Sequence, residues 1–141
     1  MLRPASEKLA QAAFYLGSFG FIVGAVWIGS RASISALVQF AQTAEMTHLI
    51  ELYEVRYEAL LSIIRATTLL LSVIFIYLTL TGRTYYKRWM TIFSPILLII
   101  ANFIIYAVAP QIGKHLMPIA LNVAFFIFFT LSLMQARSAY N

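Results

Sequence analysis

Residues 46–80 read MTHLIELYEVRYEALLSIIRATTLLLSVIFIYLTL, and this stretch decides the fold. Its second half, Ala66–Gly82, is an apolar run that Ala59–Ile64 extends across Arg65. Together they reach the ~20 residues that a helix needs to cross a bilayer. Its first half is charged, and the charges are in register. At about 100° per residue, His48, Glu51, Glu54, Glu58 and Arg65 fall within about 120° of one helix face. A charge inside a bilayer costs ~2.5–3.5 kcal/mol on insertion scales, so it is paired, hydrated or functional. The stretch therefore sets a polar site against a membrane-spanning helix.

Working outward, three more runs carry no Asp, Glu, Lys or Arg over a span-length distance: Leu9–Ser30, Trp89–Gly113 and His115–Ala136. The 141 residues are 62% hydrophobic and only 11% charged, against about a quarter charged in soluble domains. The expected fold is all-α: a four-helix transmembrane bundle forming one integral-membrane domain over residues 1–141. Its helices are expected at about 9–29, 46–80, 90–108 and 116–135. Read instead as a signal peptide, the first run would use Arg3 and Lys8 as its basic lead. Its length and a stripe of small residues favour a retained helix. That stripe, Ala10, Ala13, Gly17, Gly20 and Gly24, lies within about 80° of one face. It holds Gly20-x-x-x-Gly24, a small-xxx-small motif for close helix packing or for a slot that takes a flat ligand.

The connections follow from the breakers. Residues 31–47, with Ser33, Ser35, Gln39 and Gln42 among apolar neighbours, suit a short interfacial or re-entrant helix between helices one and two. Thr81-Gly82-Arg83 ends helix two, and Lys87-Arg88-Trp89 is a basic and aromatic interface anchor. Pro95 is expected to kink helix three, Ala109-Pro110-Gln111 to end it, and Gly113-Lys114-His115 to form a tight outer loop. Pro118 falls in the first turn of helix four, where proline is tolerated.

Charge and cysteine content exclude several classes. The chain has no Cys, which removes disulfides, thiol chemistry and thiolate metal sites. The net charge of +5 does not point to nucleic acid, because the basic residues flank apolar spans. Arg3, Lys8, Arg83, Lys87, Arg88 and Arg137 fall on one side and Arg31, Arg56 and Lys114 on the other. This bias puts both termini in the cytoplasm of a bacterial-type cell, with the chain multi-pass in the inner (plasma) membrane.

Counting depth from the outer surface at 1.5 Å per residue sets Arg65, Asn102 and Asn122 ~9–12 Å down. Glu58 lies about two turns above Arg65, and Trp27 and Tyr106 about a turn shallower than that layer. His115 shares a face with Asn122. Buried polar groups need partners, so the economical arrangement turns Glu58, Ser62, Arg65, Asn102 and Asn122 inward, lining a pocket that opens outward. Such a pocket would bind a lipophilic small molecule or a membrane lipid. Glu58 is the candidate catalytic acid–base group; Arg65, Asn102, Asn122, Ser62, Trp27, Tyr106 and His115 are the candidate ligand-binding residues. Burial and Arg65 pull the protonation of Glu58 in opposite directions.

Three other readings compete. The polar layer is structural glue between helices, in an accessory subunit of a larger membrane complex. Alternatively it is a proton or ion path in a homo-oligomer, since four helices leave little room for a private channel. A metal centre at His48, Glu51, Glu54 and His115 is disfavoured: there is no His-Glu-x-x-His motif and only two histidines. No metal or other cofactor is expected. Ser62 has no His–carboxylate pair at its depth to make it a nucleophile.

The C-terminal half carries Gly82-Arg83-Thr84-Tyr85-Tyr86-Lys87-Arg88-Trp89-Met90, then Phe93-Ser94-Pro95, Met117-Pro118, Leu121-Asn122 and Phe128-Phe129. Over residues 80–135 it resembles an uncharacterised family of prokaryotic multi-pass membrane proteins, a domain of unknown function. Arg3-Pro4-Ala5 and the Gly20–Gly24 stretch fit it less specifically. Members often read Tyr-Pro-Arg-Trp at Tyr86–Trp89 and Asn-Pro at Ser94-Pro95, and run longer, with further helices ahead. The resemblance implies a helical membrane fold, in a short form or as part of an assembly. Pro95 and Asn122 match its pattern, but it implies no activity and no role for either.

Overall fold

A computed structural model of the chain describes residues 1–38, 44–82 and 84–140, with side chains except at 44, 45, 139 and 140. The regular elements among the described residues are all helical. They are α1 (Glu7–Val38), α2 (Ala44–Leu80), α3 (Pro95–Val108), α4 (Pro110–Leu116) and α5 (Ala120–Tyr140), with 3₁₀ turns at Arg88–Phe93 and Met117–Ile119. Among the described residues, three helical runs are long and apolar enough to cross a membrane: Glu7–Val38, Met46–Leu80 and Pro110–Ser138. The helix Pro95–Val108 is apolar but shorter.

Helix α1 starts at a side-chain cap. The Oγ of Ser6 accepts the Leu9 N–H at 3.3 Å, and Glu7 sits at the positive end of the helix dipole. The expected end near residue 29 is corrected: α1 runs on to Val38, so residues 31–38 are not part of a separate interfacial helix. The hydroxyls of Ser30, Ser33 and Ser35 donate to the carbonyl oxygens of Val26, Gly29 and Arg31, at 2.9, 3.2 and 3.0 Å. Their polarity is satisfied inside the helix and does not interrupt it. The rest of the interfacial-helix expectation, including Gln39 and Gln42, lies outside the described residues, as does Arg83.

Helix α2 ends as its sequence indicates. The Thr81 hydroxyl donates to the Leu78 carbonyl at 2.6 Å, and Gly82 takes a φ of +71°, a left-handed conformation that suits glycine after a helix. Helix three does not begin at 90. The 3₁₀ turn comes first, Ser94 stands at the N-cap, and Pro95 opens α3 without kinking it. Proline fits there because its missing N–H would have no intrahelical acceptor. The next donor, Ile96 N–H, is taken by the Ser72 Oγ at 3.1 Å.

The fourth expected helix is also longer. Ala109 alone separates α3 from α4, and Gly113-Lys114-His115 is helix rather than loop. Pro110 supplies the first helical position. Gly113 then packs directly on the Tyr106 backbone: a Cβ there would stand 2.3 Å from the Tyr106 Cα. The helix continues through Met117–Ile119 into α5.

The chain divides into two compact units. One comprises Met1–Phe14 and Leu69–Asn141. Phe75, Met90 and Phe128 form its core, with Leu2, Tyr86 and Leu131 packed against them. Phe75 meets Phe128 edge-to-face at 5.0 Å and Tyr86 at 5.2 Å, a geometry worth about 0.5–1.5 kcal/mol per pair beyond the area buried. The Tyr86 and Ser132 hydroxyls hydrogen-bond to each other. Lys87 N–H donates to the Gln135 Oε1 at 3.1 Å, and Tyr85 N–H to the Met1 carbonyl at 3.2 Å. Burial pushes the Tyr86 phenol above its usual 10.0, and the Ser132 bond offsets part of this.

The other unit is Tyr15–Thr68. Here α1 and α2 pair antiparallel: a Cβ on Gly20 would lie 3.0 Å from the Thr67 Cγ2, while Trp27 stacks on Tyr57 at 5.3 Å. Val23, Trp27, Ile64, Thr67 and Thr68 are buried in this unit. Of its four glycines, only Gly20 has a neighbour within 4 Å of where a Cβ would stand. The small-residue stripe therefore makes one close contact and leaves room at Gly17 and Gly24.

Candidate functional site

Four of the candidate residues lie in the α1–α2 unit. Trp27 and Tyr57 form a stacked pair with 29° between their planes. Trp27 is 8% exposed and its Nε1 has no acceptor. A buried donor left unpaired costs about 1–3 kcal/mol, so an acceptor for this N–H would be stabilising. Tyr57 precedes Glu58 in the chain, about 100° away around the helix.

Glu58 and Arg65, two turns apart, approach to 4.0 Å with side chains 62% and 67% exposed. Arg65 reaches up the helix toward Glu58, as a long cationic side chain does when its base sits in an apolar stretch. Ser62 is exposed on the same side of α2. That side lies about 140–180° around the helix from the buried Thr67, with Arg65 about 60° from the buried Thr68. Exposed ion pairs contribute about 0–1 kcal/mol, so the pair contributes little to folding and remains free to meet an added charge. Nearer the start of α2, His48 and Glu51 approach to 3.8 Å, both exposed. Among the described residues no three His, Cys, Asp or Glu side chains are grouped to hold a metal ion.

The other four candidates lie in the unit that contains α3–α5. Asn102 is buried at 7% exposure, and its Nδ2 donates to the Leu98 carbonyl one turn back at 2.9 Å. Its amide is thus engaged within its own helix. Tyr106 is half exposed through its side chain while its backbone seats Gly113. His115 and Asn122 are exposed, whereas Ala120, Ala124 and Phe128 turn inward on α5.

Sequence reasoning missed Tyr57, the ring on which Trp27 rests. The sequence held no signal for it: the register that brings residue 27 near it is seen only in the Gly20–Thr67 approach of the structure. It also missed the fully buried hydroxyls of Thr79 and Ser94, which have no hydrogen-bond partner.

The α1–α2 unit thus holds a buried Trp27–Tyr57 stack whose indole N–H has no partner and an exposed carboxylate–guanidinium pair on α2. No curated protein and no solved structure matches the chain. A family of unknown function, DUF6796, matches over residues 1–139, well beyond the 80–135 stretch that carries the sequence resemblance, and the chain belongs to that family.

Proposed function

We propose that this protein is a four-span inner-membrane protein, both termini cytoplasmic, that binds a lipophilic ligand in the outer leaflet against the α1–α2 pair. The fourth span is α3 together with the turn before it. Fourteen residues of α-helix rise roughly 21 Å, and the six residues of 3₁₀ helix before extended Ser94 add up to roughly 12 Å toward the ~30 Å hydrocarbon core. An even number of spans returns the chain to its starting side, and the basic bias names that side.

The observation that carries the ligand reading is the Trp27 indole, buried on Tyr57 with its N–H unused. An ester or amide carbonyl of an amphiphile would satisfy it. The Glu58–Arg65 pair then meets the polar head: Arg65 holds an anionic group, and Glu58 is the carboxyl available to exchange a proton with the ligand.

The test is lipid extraction of the purified protein followed by mass spectrometry. The reading predicts one defined amphiphile enriched near one equivalent, depleted in Arg65→Ala and in Trp27→Phe. An extract that mirrors the bulk membrane lipids in all three proteins contradicts it.

A further inference from the structure

The exposed face of α2 in the Tyr15–Thr68 unit carries a seven-residue pattern. Leu52, Val55, Ala59, Ser62 and Ala66 are all exposed, Val55 at 71%. They follow the spacing of heptad positions a, d, a, d, a and fall within about 80° of one face. Their centre is small: Ser62-x-x-x-Ala66, preceded by Ala59, admits close approach of a second helix in a membrane. In the same frame Glu51 takes position g and Arg56 position e, on opposite edges of the stripe, and both are exposed.

We propose that this face is the interface of a homodimer, in which α2 packs in parallel on α2 of a second copy. The inference rests on the membrane reading above. Two copies inserted the same way are related by an axis along the membrane normal, which makes their helices parallel. In a parallel pair, position g of one helix meets position e of the other five residues on. Glu51 therefore faces Arg56 of the second copy, and by symmetry the bridge forms twice. The charge pattern thus fits a second copy of this chain in the one orientation that the membrane permits. Trp27 and Tyr57 lie on the side of α2 that faces α1, away from this seam, while Glu58 and Arg65 take g positions along its edge.

The chain has no cysteine, so single-cysteine variants report the interface directly. The full chain is expressed in bacterial membranes as Val55→Cys, Ser62→Cys or Glu54→Cys, oxidised with copper–phenanthroline, and run on non-reducing gels. Val55→Cys and Ser62→Cys should give about tenfold more self-linked dimer than Glu54→Cys, which stands off the stripe. In the Val55→Cys background, Glu51→Lys and Arg56→Glu should each lower the dimer yield and their combination restore it. Equal linking at positions 54 and 55, links only to proteins of other mass, or a double charge variant no better than the singles would overturn the dimer. Lipid extraction from the same membranes separates the two ideas. A bound amphiphile without the crosslinking pattern overturns the dimer alone, and the pattern without an amphiphile overturns the ligand reading alone.

Discussion

Gly113 sits directly on the backbone of Tyr106, so that any Cβ at position 113 would lie 2.3 Å from the Tyr106 Cα and 2.9 Å from its nitrogen. Backbone cannot rotate away as a side-chain tip can. Gly113→Ala should therefore open the α3–α4 turn and destabilise the protein by more than about 2 kcal/mol, at the upper end of overpacking effects. Unfolding in mixed detergent, followed by helical circular dichroism, measures this. A change below about 0.5 kcal/mol, the range of ordinary surface substitutions, would show that the turn is not built on this contact.

The glycines of α1 should separate by neighbour. Gly17 and Gly24 have nothing within 4 Å of where a methyl group would stand, whereas Gly20 faces Thr67. Alanine at 17 or 24 gains up to about 0.5–1 kcal/mol by restricting the unfolded backbone. Alanine at 20 should lose that gain, because its methyl meets the Thr67 Cγ2 at 3.0 Å. The same unfolding measurement on the three variants checks the order. A stabilised Gly20→Ala beside destabilised Gly17→Ala and Gly24→Ala would reverse the proposed packing.

Much of this architecture is legible in the sequence. Three of the apolar runs fall in the helices long enough to cross a membrane, the Trp89–Gly113 run spreads over a 3₁₀ turn and two helices, and Gly82 marks the end of α2. The departures share a physical cause: polarity and proline look like interruption when only the sequence is seen. Ser30, Ser33 and Ser35 return their hydroxyls to their own helix, so α1 outruns the polar signal. Pro95 and Pro110 begin helices rather than bend or end them. At the candidate site, the approach of Glu58 and Arg65 is legible because seven residues on one helix fix their geometry. The Trp27–Tyr57 stack depends on register between two helices, which neither helix encodes alone. Asn102 reads in the sequence as a group seeking a partner across helices, but it bonds Leu98 one turn away.

Tyr86 gives a pH prediction. Its pKa is raised above 10.0 in the folded protein, chiefly by burial. Between the unfolded and folded values the unfolded chain releases this proton while the native protein keeps it, so stability falls as pH rises through and above 10. The contribution is intact at neutral pH. Tyr86→Phe removes this alkaline loss, and it also removes the bond to Ser132, at about 1 kcal/mol near pH 7. Unfolding curves at pH 8 and above 10 for both proteins test the sign. An unchanged alkaline slope in Tyr86→Phe would assign the loss to other groups.

Glu58→Gln should leave folding almost untouched, by less than about 0.5 kcal/mol, since both members of the pair are exposed. Its effect belongs to the ligand: turnover or proton exchange with the bound amphiphile should drop while occupancy persists. Trp27→Phe should instead weaken occupancy about fivefold to tenfold, the equivalent of one ordinary hydrogen bond. Loss of occupancy in Glu58→Gln with none in Trp27→Phe would move the site away from the indole.

The most direct test of the ligand claim is native mass spectrometry of the intact protein released from detergent. The account predicts a 15.9 kDa chain carrying one defined lipophilic mass per copy, retained in Glu58→Gln and depleted in Trp27→Phe and Arg65→Ala. A bare chain, or a ladder of ordinary phospholipids that all the variants hold alike, would contradict it.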